Sequence, residues 1–289
     1  MGNLRDYITG EYIKRLNAAR LNVAAKTGAG AGARKSNAKG GSLEFSDFRD
    51  YSPGDDIRRV DWNSYGRLNK LFIKVFEEER QASVNIFIDK SKSMAVSERK
   101  YDFARLAAAT LAYLALNKYD KVGFYCCDSA VSVKSGRFEG KNAFGRAVDF
   151  LNGIEAGGET ALAAAVEQTL KTERLIGGIS FLISDFFSGD DYGKALEALR
   201  TKGHNVALIH VLDKTETDPD LSDAARLVDA ETGGFRDVFI TSDVIKAYKA
   251  ALAEFKSAIA EFCRRRGAAY VFARSDEDAI FALRRFYVI

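Results

Sequence analysis

The stretch Val84-Asn85-Ile86-Phe87-Ile88-Asp89-Lys90-Ser91-Lys92-Ser93-Met94 decides how the rest of the chain is read. Residues 84–88 are an apolar run broken only by Asn85, the length of a buried strand. Asp89 ends the run, and hydroxyls follow at alternate positions, Ser91 and Ser93. Where a chain turns at a strand end, a carboxylate and two hydroxyls so spaced converge on one point. Hard oxygen donors of this kind suit Mg²⁺ or a similar cation. Serines here also serve as helix caps, so the pattern alone does not define a site.

Outward from this stretch the chain alternates strand and helix. Residues 99–117 predict a helix with Phe103, Leu106, Ala107, Thr110, Leu111 and Leu114 on one face. Strands follow at 121–127 and 131–134, helices at 141–152 and 160–173, a buried strand at 179–184, a helix at 191–202 and a strand at 205–212. A polar interruption over 213–241 carries a hairpin signal at Glu231-Thr232-Gly233-Gly234. A helix over 242–266, a strand over 268–272 and a helix over 276–286 close the pattern. Continuous apolar strands alternating with helices imply an α/β fold, a doubly wound, mostly parallel, Rossmann-like sheet with helices on both faces. Ligands of such sheets bind beyond the carboxyl ends of the strands, where strand order switches.

Two further loops fall at such ends. Gly157-Gly158-Glu159-Thr160 sets Thr160 at a helix start, where an ordinary N-cap is the plainer reading. Ser184-Asp185-Phe186 sets Asp185 at the end of another buried strand. Together with Asp89, Ser91 and Ser93 they make a metal site a better reading than three coincidences.

Upstream, residues 3–26 carry apolar positions at helical spacing, from Leu4 to Val23, and 27–42 have the composition of a basic, Gly-rich linker. Residues 1–40 hold eight basic and two acidic residues, a surplus of six, so a formal net charge of +3 leaves −3 for the remainder. Any nucleic-acid footprint would lie in that basic arm, yet aromatics are sparse after Tyr12, and no nucleic-acid partner is expected. Gly30-Ala31-Gly32-Ala33-Arg34-Lys35-Ser36 imitates a phosphate loop but has Arg34 where the motif needs glycine. The three cysteines lack CxxC spacing; Cys126 and Cys127 read as opposite faces of one strand. Of two histidines, His204 is placed at a helix end and His210 in a core strand, and neither belongs to a metal or hydrolase motif. No apolar run reaches the roughly 20 residues of a membrane span, and no export signal is evident, so the expected location is cytoplasmic.

The strand-end residues resemble the metal-ion-dependent adhesion site of the von Willebrand factor A family. The resemblance implies Asp89, Ser91, Ser93, Thr160 and Asp185 as ligands of Mg²⁺, or of Mn²⁺ or Ca²⁺, with an open position for a carboxylate of a protein partner. Glu159 departs from the commoner Gly-Gly-Thr spacing. The stretch from Glu44 to Trp62, with Asp47-Phe48-Arg49-Asp50-Tyr51-Ser52-Pro53-Gly54-Asp55-Asp56 at its centre, and Leu71–Glu79 resemble the bacterial "domain of unknown function 58" family. That resemblance implies a MoxR-type AAA+ ATPase as partner and no transferable enzymatic activity. Asp55, Asp56, Arg58, Arg59 and Asp61 are expected to form an ion-pair network around Trp62. Arg58, Arg59 and Trp62 are also residue types that anchor interfaces, which makes them candidates for partner binding.

Three parts are therefore expected: a basic N-terminal helix and linker over 1–42, a signature segment over 43–82, and a von Willebrand factor A-like domain over 83–289. The expected function is a non-enzymatic, metal-dependent protein-binding adaptor. The enzymatic alternative is a Mg-dependent phosphoryl-transfer hydrolase with Asp89 as nucleophile. Against it, the acid expected two residues on is Ser91, no lysine is evident at the site, and Lys90 and Lys92 are expected to point outward.

Overall fold

A computed structural model describes residues 2–21, 43–78, 82–128, 131–159, 161–175, 177–187, 191–219, 223–228 and 234–288. The 27–42 linker, Thr160 and the 231–233 hairpin turn lie outside the described residues. The described chain divides into two compact units, residues 43–78 on one side and residues 2–21 with 82–288 on the other.

The larger unit is built on a sheet of β1 (Ser83–Asp89), β2 (Lys121–Cys127), β3 (Val131–Lys134), β4 (Gly178–Ser184), β5 (His204–Leu212) and β6 (Ala269–Arg274). Spatial order is β3-β2-β1-β4-β5-β6, and every neighbouring pair is parallel except β2 with β3. The short Phe138–Glu139 strand also pairs antiparallel with β2. This is the doubly wound order, with its switch between β1 and β4. Register places Asp89 level with Cys127, and Ile88 level with Ile183. The carboxyl ends of β1 and β4 are therefore flush.

Alternation along each strand divides the core into two layers. Val84, Ile86, Ile88 and Cys126 face a layer with the Glu98–Leu116 and Phe144–Asn152 helices. Phe87, Tyr125 and Cys127 face the Leu162–Thr172, Asp191–Thr201 and Ser242–Arg265 helices. The adjacent cysteines thus lie on opposite faces, both buried, and burial pushes the Cys126 thiol up to about 12. The 213–241 interruption forms an antiparallel pair, Asp223–Val228 with Phe235–Ile240, preceded by a short Lys214–Thr217 helix that the sequence reading lacks.

The N-terminal segment departs from expectation. It forms two short helices, Leu4–Tyr7 and Gly10–Asn17, because Asn3 caps the first and the Thr9 hydroxyl accepts the Tyr12 N–H to cap the second. Arg20–Leu21 then pairs antiparallel with Tyr287–Val288. Leu4, Tyr12, Leu16 and Ala19 are buried in the first core layer. The Tyr12 hydroxyl meets the Thr110 hydroxyl at 2.6 Å. Arg5 and Arg15 pair with Asp149 and Asp278, so part of the basic surplus is matched within the fold. Residues 2–21 belong to the sheet unit; the expected boundary at 42 does not separate them from it.

This cover explains a second difference. The Glu98–Leu116 helix buries fifteen of its nineteen residues, well beyond the one face expected for a surface helix. Its inner side meets the sheet and its outer side meets the N-terminal helices. Alanine at 104, 107, 108, 109, 112 and 115 permits close approach on both sides. Replacing Leu16 by Ala is expected to destabilise the fold by about 2–4 kcal/mol, as for other fully buried leucines. Urea denaturation would measure this, and a change below about 0.5 kcal/mol would mean that the segment is not part of the cooperative core.

Candidate functional site

At the end of β1 the chain turns and folds its polar groups inward. Asp89 is 1% exposed; its Oδ1 accepts the Ser91 N–H at 2.9 Å and its Oδ2 accepts the Ser184 hydroxyl at 2.5 Å. The Ser91 hydroxyl lies 3.0 Å from that of Ser93. A 3₁₀ turn, Ser93–Ala95, drives Met94 into the core and anchors the loop.

Backbone bonds tie this loop to its neighbours. The Lys90 N–H donates to Cys127 O, the Lys92 N–H to Gly158 O, and the Gly157 N–H to Lys90 O. Lys90 Nζ pairs with Asp128 at 2.9 Å and is mostly buried, so Lys90 does not point outward; Lys92 does. Gly158 has φ +89°, and a Cβ there would stand 2.7 Å from the Asp128 Cβ, so only glycine fits this crossing. The Leu162–Thr172 helix starts with Ala161 at its N-cap, and the Ala161 N–H donates to Asp128 O.

Past β4, Asp185 is 1% exposed and its Oδ1 accepts the Phe187 N–H at 3.3 Å. Phe186 between them takes φ +57°, an uncommon conformation for a bulky side chain. Burial of its ring against Tyr192 and His210 holds it there. Asp89, Ser91, Ser93 and Asp185 thus gather at the β1–β4 switch point.

The structure adds a residue that sequence reasoning lacked. Lys100 is fully buried, and its Nζ donates to Asp185 Oδ2 at 2.8 Å, Glu216 Oε1 at 2.8 Å and Ser93 O at 3.0 Å. It occupies the first turn of the Glu98–Leu116 helix, where Ser97 is the cap. The helix dipole disfavours a cation in that place. A lysine three residues after a capping serine was the available signal.

Behind Glu216 lies a second polar knot. Its Oε2 accepts the Asp213 N–H at 2.7 Å, closing a capping box on the Lys214–Thr217 helix. Asp213 accepts the hydroxyls of Ser97, Ser275 and Thr215 and the Thr215 N–H. Burial would raise its carboxyl, but these bonds together hold it well below the usual range. In contrast, burial first and the Asp185 carboxylate second push Asp89 up to about 6. Burial also raises Glu216, against the Lys100 charge.

The donor set fits a hard cation at Asp89, Ser91 and Ser93. Two hydroxyls and a carboxylate meet there, and a second buried carboxylate nearby makes ionisation costly without positive charge. Asp185 fits less simply, because its Oδ2 already receives the Lys100 ammonium.

The remaining expectations divide. His210 is a core histidine, bonded through Nδ1 to the Tyr270 hydroxyl, and burial lowers it to about 3. His204 opens β5 as a buried residue against the Ser180 hydroxyl; it is not at an exposed helix end. In the smaller unit, Leu43–Asp50 pairs antiparallel with Phe72–Glu78, and the Trp62–Leu68 helix lies between them in sequence. The expected network around Trp62 does not form. A turn closed by the Asp55 N–H on Ser52 O carries Asp55 back to Arg49 at 2.6 Å, and Asp61 takes the Ser64 hydroxyl and Lys74. Asp56 accepts the Arg58 backbone N–H. Arg58 and Arg59 are exposed and in no ion pair among the described residues; Trp62 is 62% exposed, edge-on to Tyr65.

These features define an α/β protein with a polar site at the switch point of a mostly parallel sheet. Residues 47–258 match the family described as "Protein of unknown function DUF58", and the chain belongs to that family. Relatives include the uncharacterized proteins Mb1516 of Mycobacterium bovis and Rv1480 of Mycobacterium tuberculosis. Each is 28% identical over 255 residues, covering 86% of this chain and 79% of the relative. Similar solved structures include an aerotolerance-related membrane protein from Bacteroides fragilis, 16% identical, with TM-score 0.41, covering 71% of this chain and 96% of that one. A von Willebrand factor type A protein from Catenulispora acidiphila is 11% identical, with TM-score 0.40, covering 73% and 42%. No helix among the described residues is long and apolar enough to cross a membrane.

Asp213→Ala is expected to destabilise the fold by about 2–4 kcal/mol at pH 7, since it removes several charge-assisted bonds. A depressed carboxyl stabilises above its unfolded value, near 3.9, and loses that contribution as pH falls. The gap between wild type and variant should therefore be equal at pH 7 and 5 and narrow below about 4. Denaturation at the three pH values would check both the size and the sign.

Proposed function

We propose that this protein is a non-enzymatic, divalent-cation-dependent protein-binding adaptor that works in the cytoplasm. The observation that carries the reading is the convergence of Asp89, Ser91 and Ser93 at the β1–β4 switch point, with Asp185 beside them. Asp89, Ser91 and Ser93 would hold Mg²⁺, or Mn²⁺ or Ca²⁺, with Thr160 and Asp185 completing the set. The cation supplies positive charge toward a carboxylate of the partner. The protein's own part is to present the oxygens in a fixed frame and to exclude water behind them.

The proposed partner is a MoxR-type AAA+ ATPase. Arg58, Arg59 and Trp62 are proposed as a second contact, because the two guanidiniums and the indole are exposed while the nearby Asp55 and Asp61 are already matched. Arginine and tryptophan supply much of the energy of many interfaces. The hydrolase alternative gains little from Lys100. That lysine is fully buried and held by three acceptors, and the position two residues beyond Asp89 is a serine.

Titration calorimetry with MgCl₂ should give one site per chain in the wild type and none in Asp89→Ala; equal binding by both would sink the cation reading. For the partner, co-purification with a MoxR-type ATPase encoded beside this chain should be lost in chelator and weakened at least tenfold by Trp62→Ala. Capture that ignores both treatments would reject the proposed interface.

A further inference from the structure

Lys100 sets an ammonium at the edge of the candidate site. Three acceptors from three places fix its ammonium: the Ser93 carbonyl from the β1 loop, Asp185 from the β4 loop and Glu216 from the Lys214–Thr217 helix. Glu216 is itself held by the Asp213 N–H, and Asp213 by Ser97, Thr215 and Ser275. The side chain is fully buried, so the ammonium has no route to water without breaking these bonds. It bonds the carbonyl of the residue whose hydroxyl is a proposed cation ligand. A fixed positive charge that close, in a water-poor site, opposes a second cation. It also occupies the Asp185 oxygen that would otherwise be offered to that cation.

We propose that Lys100 is the positioning residue that sets the cation affinity of this site, by holding Asp185 in an ion pair and keeping affinity for a free divalent cation low. The inference rests on the cation reading above and adds a sign to it. Charge removed from Lys100 raises affinity, and charge removed from Glu216, which leaves Asp185 as the only carboxylate paired with the ammonium, lowers it.

The test is titration of the full chain with MgCl₂ and MnCl₂ for wild type, Lys100→Gln and Glu216→Gln, with thermal unfolding followed for each. The amide of Lys100→Gln still donates a hydrogen bond while losing the charge. Expected are at least tenfold tighter binding in Lys100→Gln and at least threefold weaker binding in Glu216→Gln. A purely structural role would lower stability and affinity together in both variants and could not give opposite signs. If wild type binds and Lys100→Gln binds equally or more weakly, this inference fails and the cation reading stands. If neither wild type nor Lys100→Gln binds, the cation reading itself fails. Binding by Lys100→Gln alone supports the inference. Should Lys100→Gln not fold, Glu216→Gln decides: weaker binding at an unchanged unfolding temperature supports the role of Lys100, and unchanged or tighter binding, or weaker binding that accompanies a lowered unfolding temperature, overturns it.

Discussion

The buried ammonium of Lys100 is the constraint on which the polar end of the sheet depends. An ion pair taken out of water costs several kcal/mol per charge unless its remaining hydrogen bonds are also met. Here they are met by a backbone carbonyl and a second carboxylate, each near 3 Å. The contact therefore does more than neutralise Asp185. It fixes where the β1 loop, the β4 loop and the start of the Glu98–Leu116 helix stand relative to one another. Those three elements carry the candidate site.

The helix that carries this lysine buries fifteen of its nineteen residues. The N-terminal segment supplies part of that burial through Leu4, Tyr12 and Leu16. Its polar bonds continue the same theme. The Gly2 N–H donates to Asp102 at 2.8 Å, and the buried Arg105 donates to Gly2 O while pairing with Asp102. One helix thus holds three buried charged residues, Lys100, Asp102 and Arg105, and each is matched by residues distant in the chain. Such matching makes the helix a rigid base for the loops above it.

This explains which features were legible in the sequence. Strands β1, β2, β4 and β5 could be read because apolar runs of that length, buried on both faces, leave few alternatives. Strand-end positions of Asp89 and Asp185 followed from the same runs. The N-terminal cover was not legible, since Leu4, Tyr12 and Leu16 show the spacing of any amphipathic helix and do not say which surface they meet. Lys100 was hidden for a related reason: its carboxylate partners are 85 and 116 residues away, and no local pattern links them. The misread network at Trp62 has a local cause. Asp55 was assigned to its neighbours in sequence, but the turn from Ser52 to Asp55 reverses the chain and gives it to Arg49.

The energetics of the site favour function over stability as its reason for being. An apolar residue at 89 would carry no ionisation penalty, whereas the carboxyl there is pushed up by burial and by Asp185. The neighbouring loops add strain at Phe186 and a glycine-only crossing at Gly158. Perturbed carboxyls, uncommon backbone and fully bonded hydroxyls cluster where a fold must present groups in one geometry. The raised Asp89 carboxyl, the Phe186 backbone and the Gly158 crossing lie together at the β1–β4 switch point. The fold accepts these local costs in the one place where a doubly wound sheet can open its strand ends to a ligand.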